Sequence, residues 1–162
     1  MMNVDIENVC EKLDILMLHI LKLTEEKISV TLQLENQMKE GFIELAKARY
    51  IRGKESVGLI QVPQDTPISS LLDLELSFNK NPSIPHFDIR MKNKEENVEH
   101  QDPIRWFGVL VPQSLKTSQK RFQESIYLSV RMANIVAELT KLNEDFEIAK
   151  KLKNRLLTNL EE

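Results

Sequence analysis

The sequence predicts a mainly α-helical fold: a long antiparallel helical hairpin, wound as a coiled coil, with a small antiparallel β head inserted between its arms. Three observations predict it. Two stretches of nearly fifty residues have no internal proline and only one glycine between them. In both, apolar residues recur at steps of three and four. The segment between them switches to strict period-two alternation. On this reading residues 1–162 form a single domain.

The first helix is expected over residues 5–52. Its apolar seam runs through Ile6, Val9, Leu13, Leu16, Ile20 and Leu23, then Val30 and Leu34, with Lys27 in one core slot. It then slips by one to Met38, Phe42 and Leu45. Between Leu13 and Leu23 the additional apolar residues Ile15, Met17, Leu18 and Leu21 widen the seam, which predicts contact with more than one neighbouring helix.

The second helix is expected over residues 112–162, opened by Pro112, whose missing donor would be unpaired in a first turn anyway. Its predicted core positions are Leu115, Phe122, Ile126, Ser129, Ala133 and Val136. After a three-residue shift they continue at Leu139, Leu142, Phe146, Ala149, Leu156 and Leu160, with Lys153 in one slot. Neither arm is stable in water with its seam uncovered, so the simplest arrangement has each cover the other. A parallel homodimer is the alternative.

The insert spans residues 54–111. Alternation at 72–78 and 87–92 predicts two strands, and short apolar runs at 57–62 and 107–111 predict two more, all at the open end of the hairpin. Residues 92–101 are polar without periodicity and read as a mobile loop.

Composition removes several function classes. A net charge of −3 leaves no basic surplus for neutralising phosphates, so no nucleic-acid partner is expected. Cys10 is the only cysteine, which excludes an internal disulfide. The acidic N-terminus is unlike a signal peptide. The most apolar stretch, residues 13–23, is interrupted by Asp14, His19 and Lys22, so membrane association is expected only through a partner. His19, His86 and His100 share no ligand spacing with Cys10 or one another, so no metal or other cofactor is expected. With neither a phosphate-cradling glycine loop nor a nucleophile elbow present, catalysis is not expected. A binding protein is the reading that remains.

Two clusters carry the most information. The first is Leu45, Ala46, Lys47, Ala48, Arg49 and Tyr50, followed by Ser56, Val57, Gly58 and Gln61. The second runs from Asp102 and Pro103 through Trp106, Phe107 and Gly108 to Val111, Pro112, Ser114 and Leu115, with Gln119 and Phe122 downstream. Trp106 and Phe107 are either the core of the head or an anchor for a partner. The two clusters fall at the same end of the hairpin and so can pack together.

In these residues the chain resembles the family of vacuolar ATPase assembly factors that includes coiled-coil domain-containing protein 115 of animals and its yeast counterpart. The likeness is specific in residues 45–61 and 102–122 and does not extend to the insert at 63–101. It implies a non-enzymatic chaperone for the membrane sector of the proton pump. It also implies a transmembrane assembly partner, called transmembrane protein 199 in animals, and immature membrane-sector subunits as clients. The implied location is the cytosolic face of the endoplasmic reticulum membrane, extending to the intermediate compartment, transport vesicles and endolysosomal membranes. The overwide part of the first helix, through Leu13, Leu16, Ile20 and Leu23, is the expected partner-docking face, with Trp106 and Phe107 shaping a second contact. A prefoldin-type chaperone subunit has the same order of elements and is the chief competing reading; a coiled-coil scaffold is the other.

Overall fold

The structure is a computed structural model, which describes residues 2–65, 67–68, 70–78, 84–92 and 102–161. Two long helices, α1 (Met2–Arg52) and α2 (Gln113–Glu161), dominate it. They pack antiparallel. Gly41 meets Ser118, Gln37 meets Arg121, Glu26 meets Arg131 and His19 meets Glu138, so each step back along α1 is matched by a step forward along α2.

Leu23 and Val30 of α1 are buried, as are Leu115, Ile135 and Ala149 of α2. The buried face departs from the predicted seam in both helices. Met38 and Phe42 point outward, and the inward positions beside them are the half-buried Gln37 and the buried Gly41. Lys27 is exposed, and its neighbour Glu26 takes the position facing α2, accepting a 2.7 Å hydrogen bond from Arg131 Nη2. In α2 the predicted Ile126, Ser129 and Val136 are exposed. The less exposed row is Ser125, Leu128, Met132 and Ile135, so the three-residue shift falls near Ser125 rather than after Val136.

Volume explains these exchanges. A Cβ on Gly41 would lie 3.1 Å from the Phe122 ring, so the ring from α2 occupies the space a seam side chain on α1 would fill. Ser118, almost fully buried opposite, donates to the Gly41 carbonyl at 2.8 Å and so is satisfied in an apolar setting. Phe42, although outward, packs edge-to-face on Phe122 with ring centroids 5.1 Å apart.

Between the helices lies one two-stranded antiparallel sheet, β1 (Leu72–Phe78) and β2 (Pro85–Met91), with Leu74 opposite Ile89 and Leu76 opposite Phe87. Only two of the four predicted strands form. Residues 57–62 instead turn through a short 3-10 segment, Leu59–Gln61, and residues 107–111 follow a second one, Pro103–Phe107. Both runs are too short for period to separate strand from turn, and both serve to close the end of the hairpin. Of the predicted 92–101 loop, only Lys92 belongs to the described residues; its N–H donates to the Leu71 carbonyl and extends the ladder by one pair.

The sheet is not at the open end of the hairpin. It folds back along α2, where the Asn134 carboxamide accepts from Phe87 N–H at 2.8 Å and donates to Phe87 C=O at 2.9 Å. One side chain thereby takes the place of a neighbouring strand.

Candidate interaction surface

The apex, where α1 stops and α2 starts, is built by the two sequence clusters. Gly53, at φ +86°, ends α1 in a left-handed conformation that favours glycine. The chain then loops so that Val57 returns onto Ala48 and Leu115, forming a small core with Leu45, Phe107 and Val111 packed on it. Burying the Leu115 side chain there stabilises the apex by about 2 kcal/mol.

Side chains answer the polar groups that the irregular backbone leaves over. Arg49 Nε donates to the Val57 carbonyl at 3.0 Å. Gln61 Oε1 accepts from Gly58 N–H at 2.8 Å while its amide donates to the Glu55 carbonyl. Asp102 caps the second 3-10 turn by accepting from Ile104 N–H at 3.1 Å, and accepts from Gln119 Nε2 of α2 at 2.7 Å. Pro103 occupies the first turn after that cap, and Gly108, at φ +96°, ends it. The structure thus brings both clusters together.

Within the apex, Trp106 and Phe107 are half-buried, and Phe107 lies on the apex core. The fully solvated residues are others. Tyr50 and Ile51 at the end of α1, Leu59 and Ile60 on the first 3-10 turn, and Val109 and Leu110 before α2 are all strongly exposed. All but Tyr50 fall between the motif residues, a signal that sequence reading passed over.

A second surface runs along α1. Leu13, Leu16 and Ile20 are half-buried and Leu23 is buried, all on one face. The apolar residues left free are Ile15, Leu18, Leu21, Ile28 and Leu32, each between 57% and 68% exposed. Leu18, Leu21, Ile28 and Leu32 keep the three- and four-residue step, with Glu25 in the missing slot, and so form an outer stripe separate from the inner seam. Met17, at the margin of the two, is also exposed.

A third apolar surface lies under the sheet. Leu74, Leu76 and Phe78 of β1 are more than half exposed although they share a face with Ile89 and Phe87. At the base of the sheet, Ile68, Leu72, Pro103, Phe122, Ile126 and Tyr127 line an open apolar cleft of about 450 Å³.

The polar surface is ordinary by contrast. His19 Nε2 lies 3.5 Å from Glu138 across the helix pair. The Lys141 ammonium is held above the usual lysine range by its hydrogen bond to Asp145, with Glu144 adding to it. Among the described residues no three His, Cys, Asp or Glu side chains cluster as a metal site, and no helix is long and apolar enough to cross a membrane.

Comparison with known proteins shows the family. Residues 79–125 match the family described as Vma22/CCDC115. The chain is 32% identical to the vacuolar ATPase assembly protein VMA22 of Mus musculus, over 77% of this chain and 82% of that protein. This chain belongs to the Vma22/CCDC115 family. It is also 27% identical to the VMA22 proteins of Bos taurus and Homo sapiens, over 80% and 76% of this chain and 84% and 81% of theirs. The part matched to the Vma22/CCDC115 family includes β2, the second 3-10 turn and the first turns of α2, so the likeness reaches into the insert from residue 79, contrary to the expectation that it leaves out residues 63–101. In this member, Asp102, Pro103, Gly108, Leu115 and Phe122 therefore have architectural roles that the geometry accounts for.

Proposed function

We propose that this chain is a non-catalytic assembly factor for the vacuolar proton-transporting ATPase, acting on the membrane sector together with a transmembrane assembly partner. The observation that carries the reading is the 32% identity, over most of both chains, to a protein named for vacuolar ATPase assembly. The fold is suited to such work, because a helical hairpin with an uncovered apolar stripe holds a partner without needing a reaction centre. The continuous three- and four-residue step of the inner seam favours arms wound about each other as a coiled coil.

In this proposal the membrane-anchored partner lays a helix along Leu18, Leu21, Ile28 and Leu32 rather than along the inner seam, which α2 covers. The immature membrane-sector subunits are the clients. The site of action is the cytosolic face of the endoplasmic reticulum membrane, with onward passage to the intermediate compartment, transport vesicles and endolysosomal membranes.

Affinity capture from detergent-solubilised membranes, read by mass spectrometry, tests it. Membrane-sector subunits and a transmembrane assembly protein are the expected companions. Recovery of prefoldin subunits or tubulin in their place overturns the reading in favour of a general chaperone. The double substitution Leu18→Asp with Leu21→Asp leaves the inner seam intact and reduces recovery of the transmembrane partner more than about tenfold, as loss of central apolar anchors does. Undiminished recovery with the helical content unchanged removes the outer stripe as the docking face.

A further inference from the structure

We infer that the apex of the hairpin is itself a lipid-binding device that rests on an anionic membrane surface. Three separate segments converge there, and each presents two adjacent large side chains to solvent. Exposure ranges from 65% at Ile51 to 99% at Val109, with Tyr50 at 92% and both Leu59 and Ile60 at 82%. Leu110, beside Val109, is 79% exposed. Isolated apolar residues on a surface need no explanation, but three such pairs at one end of an elongated molecule do.

Charge supplies the second observation. The chain as a whole carries −3, yet residues 49–60 and 105–111 hold four cations, Arg49, Arg52, Lys54 and Arg105, against one acid, Glu55. All four cations are exposed. None of them is ion-paired among the described residues, whereas Arg121 and Arg131 bridge the helices to Glu40 and Glu26. Protruding apolar side chains beside cations that no carboxylate pairs match the chemistry of a bilayer surface: the apolar tips enter the headgroup boundary and the cations meet anionic headgroups. Leu59 and Ile60 stand on a 3-10 turn and Val109 and Leu110 on the bend before α2, while Tyr50 and Ile51 end α1 at the same apex.

The proposal does not depend on the assembly role. It changes the expectation that membrane contact comes only through a partner, since the chain would touch the bilayer end-on and hold the far ends of α1 and α2 about 70 Å away from it.

Flotation of the full-length purified chain with vesicles tests it. Vesicles of phosphatidylcholine mixed with phosphatidylserine should carry the protein upward, and pure phosphatidylcholine vesicles should do so at least about tenfold less well. Val109→Asp with Leu110→Asp should abolish flotation. Lys54→Glu with Arg105→Glu should remove the preference for anionic vesicles. These side chains are exposed, and circular dichroism of each variant should match that of the unmodified chain. Absence of flotation by the unmodified chain overturns the inference. So does flotation unaffected by the aspartate pair. If the chain fails to float but the apex variants lose capture of pump subunits, the apex is a protein contact and the lipid reading is wrong.

Discussion

The apex and the strand pair both interrupt the same two helices, yet they are held in opposite ways. At the apex the hydrophobic core is small, and the polar groups of its turns are met by side chains placed for the purpose: Arg49, Gln61 and Asp102. The strand pair has regular hydrogen bonding of its own but is tied to α2 through β2, with the Asn134 carboxamide as its polar clamp, and leaves the apolar row of β1 in water. Irregular backbone therefore has to be specified residue by residue, whereas a regular hairpin needs only an attachment. Both clusters singled out in the sequence sit where the specification is dense.

That contrast predicts unequal effects of substitution. Leu115→Ala removes a buried side chain from the apex core and should cost about 3 kcal/mol in global stability by denaturant unfolding. A cost below 1 kcal/mol would mean the apex is not the lock of the hairpin. Asn134→Ala should act locally. With two hydrogen bonds to Phe87 lost, amide exchange in β1 and β2 should quicken about tenfold or more while the α1 and α2 amides keep their protection. Equal loosening of helices and strands would show that the sheet is part of the lock. The smallest effect is expected at Ser114, whose buried hydroxyl has no hydrogen-bond partner among the described residues. Ser114→Ala should be neutral or stabilise by up to about 1 kcal/mol, and a clear destabilisation would reveal a partner for that hydroxyl.

The same contrast explains what could be read from the sequence. Helix extent was legible because neither arm has an internal proline and Gly41 is the one glycine between them, and the strand pair was legible because strict alternation over six or seven residues has no helical counterpart. The phase of each seam was less so. Met38 and Phe42 outrank Gln37 and Gly41 in hydrophobicity, but which residue faces inward is decided by the volume that Phe122 brings from the other helix, and one strand of sequence does not carry that information. Leu59, Ile60, Val109 and Leu110 show another limit: their short apolar runs read as strands, yet these side chains are among the most exposed of the described residues. Leu13, Leu16, Ile20 and Leu23 of α1 read from the sequence as the docking face, and the outer stripe separates from that inner seam only once α2 is seen covering the latter.

Asn134 has a consequence beyond anchoring. Because Phe87 turns its N–H and C=O toward that carboxamide, its partner Leu76, and Leu74 one step along, turn theirs away from β2. Among the described residues the sheet therefore has one edge capped at Phe87 and another, at Leu74 and Leu76, with no backbone partner. In the language of polymer chemistry it is a monomer of functionality one, with the carboxamide as its end-cap. If two copies of such a unit paired through β1, each would be left with its capped edge outermost. An exposed apolar edge strand ordinarily invites open-ended stacking; here the stoichiometry of any addition is limited in advance by a single side chain on the neighbouring helix.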